Sequence, residues 1–392
     1  MDEQPWSRRR LRSNNEWLLL ERLRRAGPAS RAQLARDSGL SKPTVSSALA
    51  ALETAGLVRE AGTHTPGRGR VAVLYEPDPA AGYVLGVDIG RVRLRTAVAD
   101  LSGTVIARTD QRNRGRSATS VADAAIEAAG RSVAAAGLHP AQVVHAAVGT
   151  PGVFDPHTGR VRYAVNLPGW GRPGLVARMR ERLDVTLSVH NDANLAALGE
   201  YAFGAGAGSR LFVYVLIGTG LGMGVVAGGE LFGGAHGAAG EIGFLPLDGP
   251  PASGAAPRRG ILESAVSADA VVTAARALGM AGPLTARRVF AAARAGRAPA
   301  AAAVRQEGER LALVVASVTA VLDPDLVVLG GGIGRNADLL LAPVSETVHR
   351  LTPFRPRVAP SEVGEDAVLL GAVTTALRVA RPQVFERRTG RA

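Results

Sequence analysis

Apolar positions at helical spacing open the chain. In residues 14–25, NNEWLLLERLRR, Leu19 and Leu23 fall one turn apart beside Trp17 and Leu20. This predicts a helix with Asn14 or Asn15 as its cap, ended by Gly27-Pro28. Ser30-Arg31-Ala32-Gln33 has the capping-box pattern and opens a second short helix anchored by Leu34. Gly39-Leu40-Ser41 predicts a tight turn. Ser41 then caps a third helix, with Pro43 in its first turn, where a missing N–H does no harm. Val45, Leu49 and Leu52 stand at i, i+4 and i+7 and face a core, which leaves Lys42, Thr44, Ser46 and Ser47 on the other side. Two short β-prone runs follow, Leu57–Glu60 and Val71–Tyr75, around the basic loop AGTHTPGRGR.

This order is a helix-turn-helix followed by a wing. A small polar face on the third helix, Ser and Thr without acids, favours DNA, through Ser41, Lys42, Thr44, Ser46 and Ser47. Arg68 and Arg70, spaced by a glycine at the wing tip, suit a minor groove or a phosphate backbone. The competing reading is a three-helix domain that binds protein and leaves its arginines solvated. The expected organisation is a winged helix-turn-helix over 1–76 and a linker over 77–82. Two α/β lobes then cover 83–197 and 198–371, the last helix (about 372–392) packing back onto the first lobe.

In the lobes, buried strand patterns repeatedly run into glycine-rich turns. Residues 83–103 lead into Asp88-Ile89-Gly90 and then a hairpin partner, and 211–231 repeat that plan around Gly218-Thr219-Gly220. Residues 145–155 end a strand at Gly149-Thr150-Pro151-Gly152, and 322–334 end one at Gly330-Gly331-Gly332 ahead of a helix. One such turn alone is an ordinary strand end. Two copies of strand, turn and hairpin imply two lobes of similar build, with backbone N–H groups able to cradle phosphate from both sides. Carboxylates and amides accompany them. His190-Asn191-Asp192 ends a strand before a helix, where Asp192 can take a proton from a hydroxyl or simply start the helix. Glu241 lies in the loop GAAGEIGF and Glu263 follows in ILES. Such groups converging on one cleft suit the hydroxyls of a sugar.

Composition adds exclusions. The chain has 392 residues, which at about 150 per domain suggests roughly two to three domains. The net charge is +12, but Lys42 is the single lysine among 46 basic residues, so the charge reads as an arginine bias and says little about nucleic acid. No cysteine is present, which removes disulfides, thiolate zinc sites and cysteine nucleophiles. No long uncharged apolar stretch and no apolar leader at the start are visible, so a cytoplasmic protein is expected.

The motifs VDIG, NLPGW (166–170), NDANLAALGE, IGTGLGMG, GAHGAAGEIG and VVLGGGIG occur in this order. Together with the winged helix-turn-helix they make the chain resemble the ROK family of repressors, open reading frames and sugar kinases, over nearly its whole length. The resemblance implies an actin-like (ribonuclease H-like) fold of two α/β lobes, with sugar in the cleft and ATP beside it in the kinases. Asp192 matches the catalytic base. Asn191, Glu241 and Glu263, with Asn166 in NLPGW, match positions that hold sugar. Asp88, Gly90, Gly218, Thr219, Gly220, Gly331 and Gly332 match the phosphate turns. Two departures stand out. Val92 replaces a small polar residue after Asp88-Ile89-Gly90, which should weaken ATP binding. The family's zinc ligands read Phe244, Gly254, Ala256 and Ile261, so no metal and no cofactor is expected. The resemblance therefore implies a sugar-sensing transcriptional repressor, with operator DNA, a sugar-derived effector and a second copy of itself (dimer or tetramer) as partners. The alternative is an ATP-dependent sugar kinase that also binds DNA.

Overall fold

The computed structural model describes residues 8–64, 71–165, 167–246 and 260–390. Helix α1 (Arg8–Ala26), strand β1 (Ala29–Ser30), α2 (Arg31–Ser38) and α3 (Lys42–Thr54) are followed by β2 (Val58–His64) and β3 (Ala72–Pro77). The strands pair antiparallel in the order β1-β3-β2. Leu19, Leu23, Leu34, Val45, Leu49, Leu52 and Tyr75 form the core of this unit. Ser30 Oγ accepts from the Gln33 N–H and Ser41 Oγ from the Thr44 N–H, each at 3.3 Å. Gly39 turns the chain between α2 and α3 with φ 71°. This is a winged helix.

Two local expectations change, and the linker gains a defined structure. Helix α1 is already under way at Arg8, so Asn14 and Asn15 lie inside it and cap nothing. The wing strands run past the β-prone runs, because antiparallel pairing carries β2 on to His64. Residues 77–82 are not slack. Asp78 caps a 3-10 turn, Pro79–Ala81, and Ala81 is buried.

The first lobe is built on β4 (Tyr83–Ile89), β5 (Arg93–Asp100), β6 (Val105–Arg112), β7 (Val143–Thr150) and β10 (Thr186–Asn191), in the order β10-β7-β4-β5-β6. Helices α4 (Ala118–Ala135) and α5 (Leu175–Leu183) share a core with its outer face. A small hairpin, β8 (Val153–Asp155) with β9 (Arg160–Arg162), projects from it. After helix α6 (Asp192–Phe203), the second lobe contains β11 (Leu211–Ile217), β12 (Leu221–Ala227), β13 (Glu230–Leu231), β14 (Leu326–Gly330) and β15 (Val358–Pro360). Their order is β13-β12-β11-β14-β15. Its helices are α7 (Ile261–Ala265), α8 (Ala268–Ala277), α9 (Ala286–Arg294), α10 (Ala298–Leu322), α11 (Gly331–Gly334) and α12 (Ala337–Leu351). Helix α13 (Ala367–Arg388) closes the chain.

Between the sheets, α6 lies on β11 and β12, α13 lies on β4 and β7, and the two helices pack against each other. Residues 197 and 198 both lie within α6. The crossing is close because it uses glycine. A Cβ on Gly371 would collide with the carbonyl of Leu195, and one on Gly199 would collide with that of Ala367. The far end of α13 reaches the winged helix. Trp17 meets Phe385 edge-on, centroids 5.0 Å apart. Arg388 donates to the carbonyls of Ala55 (3.3 Å), Gly56 (2.9 Å) and Ala81 (2.7 Å). Ala55 is the C-cap of α3, where a cation is favoured by the helix dipole. Arg381 donates to the Leu101 carbonyl at 2.9 Å.

Gly371→Ala should cost about 1–3 kcal/mol or more of stability in urea unfolding, because helix backbone on the other side cannot yield to the added methyl. Arg388→Ala should expose the junction around residues 77–82 to limited proteolysis while leaving the lobes resistant.

Candidate functional site

The two sheets aim their strand ends into one cavity of about 380 Å³. Asp88, Gly90, Asn191, Asp192, Gly218, Thr219, Gly220, Glu241, Glu263, Gly331 and Gly332 all line it. The folding reason is local. Strand β10 stops at Asn191, whose side chain accepts from the Asn194 N–H at 3.1 Å as the cap of α6. Asp192 therefore starts the helix at the cavity floor, its Oδ1 accepting from the Ala193 N–H at 2.9 Å. The two readings of Asn191-Asp192, helix start and cleft group, coexist. Asn191 also donates to the Gly152 carbonyl at 3.2 Å. Glu241 precedes a short 3-10 turn, Ile242–Phe244, and Glu263 lies in the first turn of α7.

Burial, helped by neighbouring carboxylates, raises three of the carboxyls. Burial pushes Asp192 up to about 6, reinforced by Glu241 and Glu263. Burial, then Glu263, pushes Glu241 up to about 7. Burial pushes Asp88 up to about 7 against the pull of Arg95. Carboxyls raised toward neutrality in one cleft suit both accepting from and donating to ligand hydroxyls.

The glycines divide by purpose. Gly331 has φ 77° and sits where a Cβ would strike the Ile217 carbonyl, so tight packing accounts for it. Gly218 and Gly332 have open space where a Cβ would be, so their backbones face the cavity. Thr219 and Gly220 complete the same turn, with the Gly218 N–H donating to the Gly220 carbonyl at 2.9 Å. Val92 stands 61% exposed on the lip.

A set of charges missed by sequence reasoning lies beside this turn. Arg95, with a side chain only 12% exposed, reaches Asp88 at 3.2 Å and Glu365 at 2.9 Å. Glu365 also pairs with Arg335 of the second lobe. Arg108 holds Asp366 through two bonds of 2.7 and 2.6 Å. The Arg95–Asp88 contact follows from their register across β4 and β5. Glu365 is 270 residues from Arg95, and no sequence signal links them.

Of the residues replacing the zinc ligands, Phe244 lines the cavity and Ile261 opens α7. Gly254 and Ala256 lie outside the described residues, as do Asn166, Arg68 and Arg70. Among the described residues no cluster of His, Cys, Asp and Glu is placed to hold a metal ion. On the winged helix, Ser41, Lys42, Ser46 and Ser47 are exposed and Thr44 is half-buried against the Ser41 hydroxyl, 2.8 Å away. No helix among the described residues is long and apolar enough to cross a membrane.

Two lobes around a carboxylate-lined cleft, joined to a winged helix, define an actin-like sugar-kinase fold fused to a helix-turn-helix unit. The ROK family model matches residues 84–379, and the MarR family model matches residues 13–60. The chain belongs to the ROK family. It is 31% identical over 318 residues to a glucokinase of Halalkalibacterium halodurans, covering 74% of this chain and 93% of that one. It is 26% identical over 363 residues to the xylose repressor of Bacillus subtilis, covering 91% and 93%. The crystal structure of a ROK family transcriptional regulator, a homolog of the E. coli MLC protein, has the same fold. Its TM-score is 0.77 at 22% identity, over 97% of this chain and 100% of that one.

A carboxyl with a raised folded-state pKa favours folding below its ordinary pKa, and that contribution is lost as pH rises through the folded value. Glu241→Gln should therefore match the parent near about pH 4 and gain stability relative to it as pH rises through about 7. Thermal unfolding across that range measures this difference. A constant difference would place Glu241 outside the cluster.

Proposed function

We propose that this chain is a DNA-binding transcriptional repressor of sugar uptake or metabolism genes, and that a sugar or sugar-derived ligand in the cleft sets its affinity for DNA. The observation that carries this reading is α13. One helix packs against α6, which starts at Asp192, and ends on the carbonyls closing α3, the DNA-reading helix. A ligand that binds one lobe arrangement better than another shifts the position of α3 by that differential affinity. The likeness to xylose repressors over 91% of the chain supports the same reading.

In this reading Asn191, Asp192, Glu241 and Glu263, with Asn166, hold the sugar. Ser41, Lys42, Thr44, Ser46 and Ser47 face the operator, and Arg68 and Arg70 take phosphate or minor-groove positions. The site carries no zinc and no nucleotide, the protein acts as a homodimer or homotetramer, and it works in the cytoplasm. Turnover of ATP is not its task. Val92 offers no hydroxyl at the phosphate turn, and Glu365 already engages Arg95 and Arg335 there. The second reading, a sugar kinase that also binds DNA, draws on the glucokinase relative and on Asp192, whose carboxyl near 6 is suited to a general base.

Mobility shifts on the DNA upstream of the gene test the reading. Arg68→Ala with Arg70→Ala should weaken binding about tenfold or more and flatten its dependence on salt. Lys42→Ala should weaken it also. A sugar that releases DNA from the parent should fail to do so with Asp192→Asn. In a coupled ATP assay over a sugar panel, turnover that disappears in Asp192→Asn would overturn the non-enzymatic reading in favour of the kinase.

A further inference from the structure

Among the described residues, three non-glycine residues have positive φ: Tyr163 (61°), Asp184 (49°) and Asp323 (45°). The two aspartates cap the C-terminal ends of helices, a position where the left-handed conformation is ordinary for such a residue. Tyr163 has no such excuse. A bulky side chain there is an outlier, and such outliers persist where the surroundings enforce them, commonly at ligand sites.

The enforcing structure is visible. Tyr163 directly follows β9, and its carbonyl accepts from the Val165 N–H at 2.8 Å. Gly152, with φ 90°, lies so close under the hairpin that a Cβ would strike the Arg162 carbonyl. Gly152 is also the residue whose carbonyl takes the Asn191 amide. The strained turn is thus tied to the cleft floor. It holds the Tyr163 ring at the cleft mouth, 5.7 Å from the ring of Phe244 and edge-on to it. Tyr163 comes from the first lobe and Phe244 from the second. Both line the same cavity as Asp192 and Glu263, yet they remain 53% and 41% exposed. Two strained or exposed aromatic rings at the rim, above carboxyls and an amide on the floor, form two adjacent environments of different chemistry. One satisfies hydroxyls; the other offers apolar ring faces.

We propose that Tyr163 and Phe244 form an aromatic subsite, and that the cleft binds a two-ring glycoside, with one sugar ring on the floor and the second ring against the two aromatics. This rests on the sugar-binding reading above. It deepens that reading from a monosaccharide to a glycoside whose second ring, sugar or aryl, presents an apolar face. Aromatic faces bury such area at low entropic cost, and the cavity extends continuously from floor to rim.

The test is calorimetric titration of the full chain. The ligands are D-glucose, D-xylose and N-acetyl-D-glucosamine, each with its β-1,4-linked disaccharide and its 4-nitrophenyl β-glycoside. At least one two-ring ligand should bind tenfold or more tighter than its parent monosaccharide. Phe244→Ala should reduce that gain to threefold or less and leave monosaccharide affinity unchanged. Tyr163→Gly should do the same while melting no earlier than the parent, since glycine relieves the strained backbone. Loss of the gain with retained stability separates a ligand contact from a structural role. The disaccharide and aryl arms show which second ring is taken. Equal affinity for one-ring and two-ring ligands, or a gain that survives both substitutions, overturns the subsite and leaves sugar sensing standing. No binding of any sugar overturns both, and leaves the DNA-binding reading to its own assay.

Discussion

The closeness of α6 and α13 is the constraint from which the rest follows. Gly199 and Gly371 remove the side chains that would hold these helices apart, so backbone meets backbone between the two sheets. A contact of that kind has little freedom to slide, since packed interiors resist even a methyl-sized change. Each helix also lies on its own sheet, so the crossing joins the two lobes directly. One end of this pair carries Asp192 into the cleft. The other carries Arg388 to the closing turn of α3.

The cleft is joined across its width by two different kinds of contact. On the side of Asp88, Glu365 ties Arg95 of the first lobe to Arg335 of the second. At the mouth, the tie is the ring pair of Tyr163 and Phe244. Between them lie carboxyls that burial has pushed toward neutrality. The lobes are thus held by groups that a polar ligand could compete with, whereas the α6–α13 contact offers nothing to displace.

Much of this was legible in the chain because it is local. Ser30, Ser41 and Gly39 announce the winged helix through caps and a turn that depend on neighbours in sequence. Asn191-Asp192 and the two strand–turn–hairpin units announce the cleft for the same reason. What was hidden depends on distance or context. Asn14 and Asn15 look like caps, but α1 begins before them. Residues 77–82 look like a tether, yet Ala81 is buried by the body it joins. Glu365 meets Arg95 because the short turn before the last helix comes back against the first lobe. Tyr163 carries no mark in its letters of the backbone it is forced to adopt.

The folded turn at Pro79–Ala81 and the grip of Arg388 have a consequence for how such a protein measures DNA. A reading head on a flexible tether would accommodate half-sites at many separations. Here the head is fixed to its body by the core that runs through Trp17 and Phe385 and by hydrogen bonds on both sides of the junction. In any symmetric assembly of this chain, the distance and the rotation between two heads would be set by protein alone. One inserted base pair turns the second half-site by about a tenth of a helical repeat, and no slack is available to follow it. The winged helix is thus held as part of its body and not hung from it.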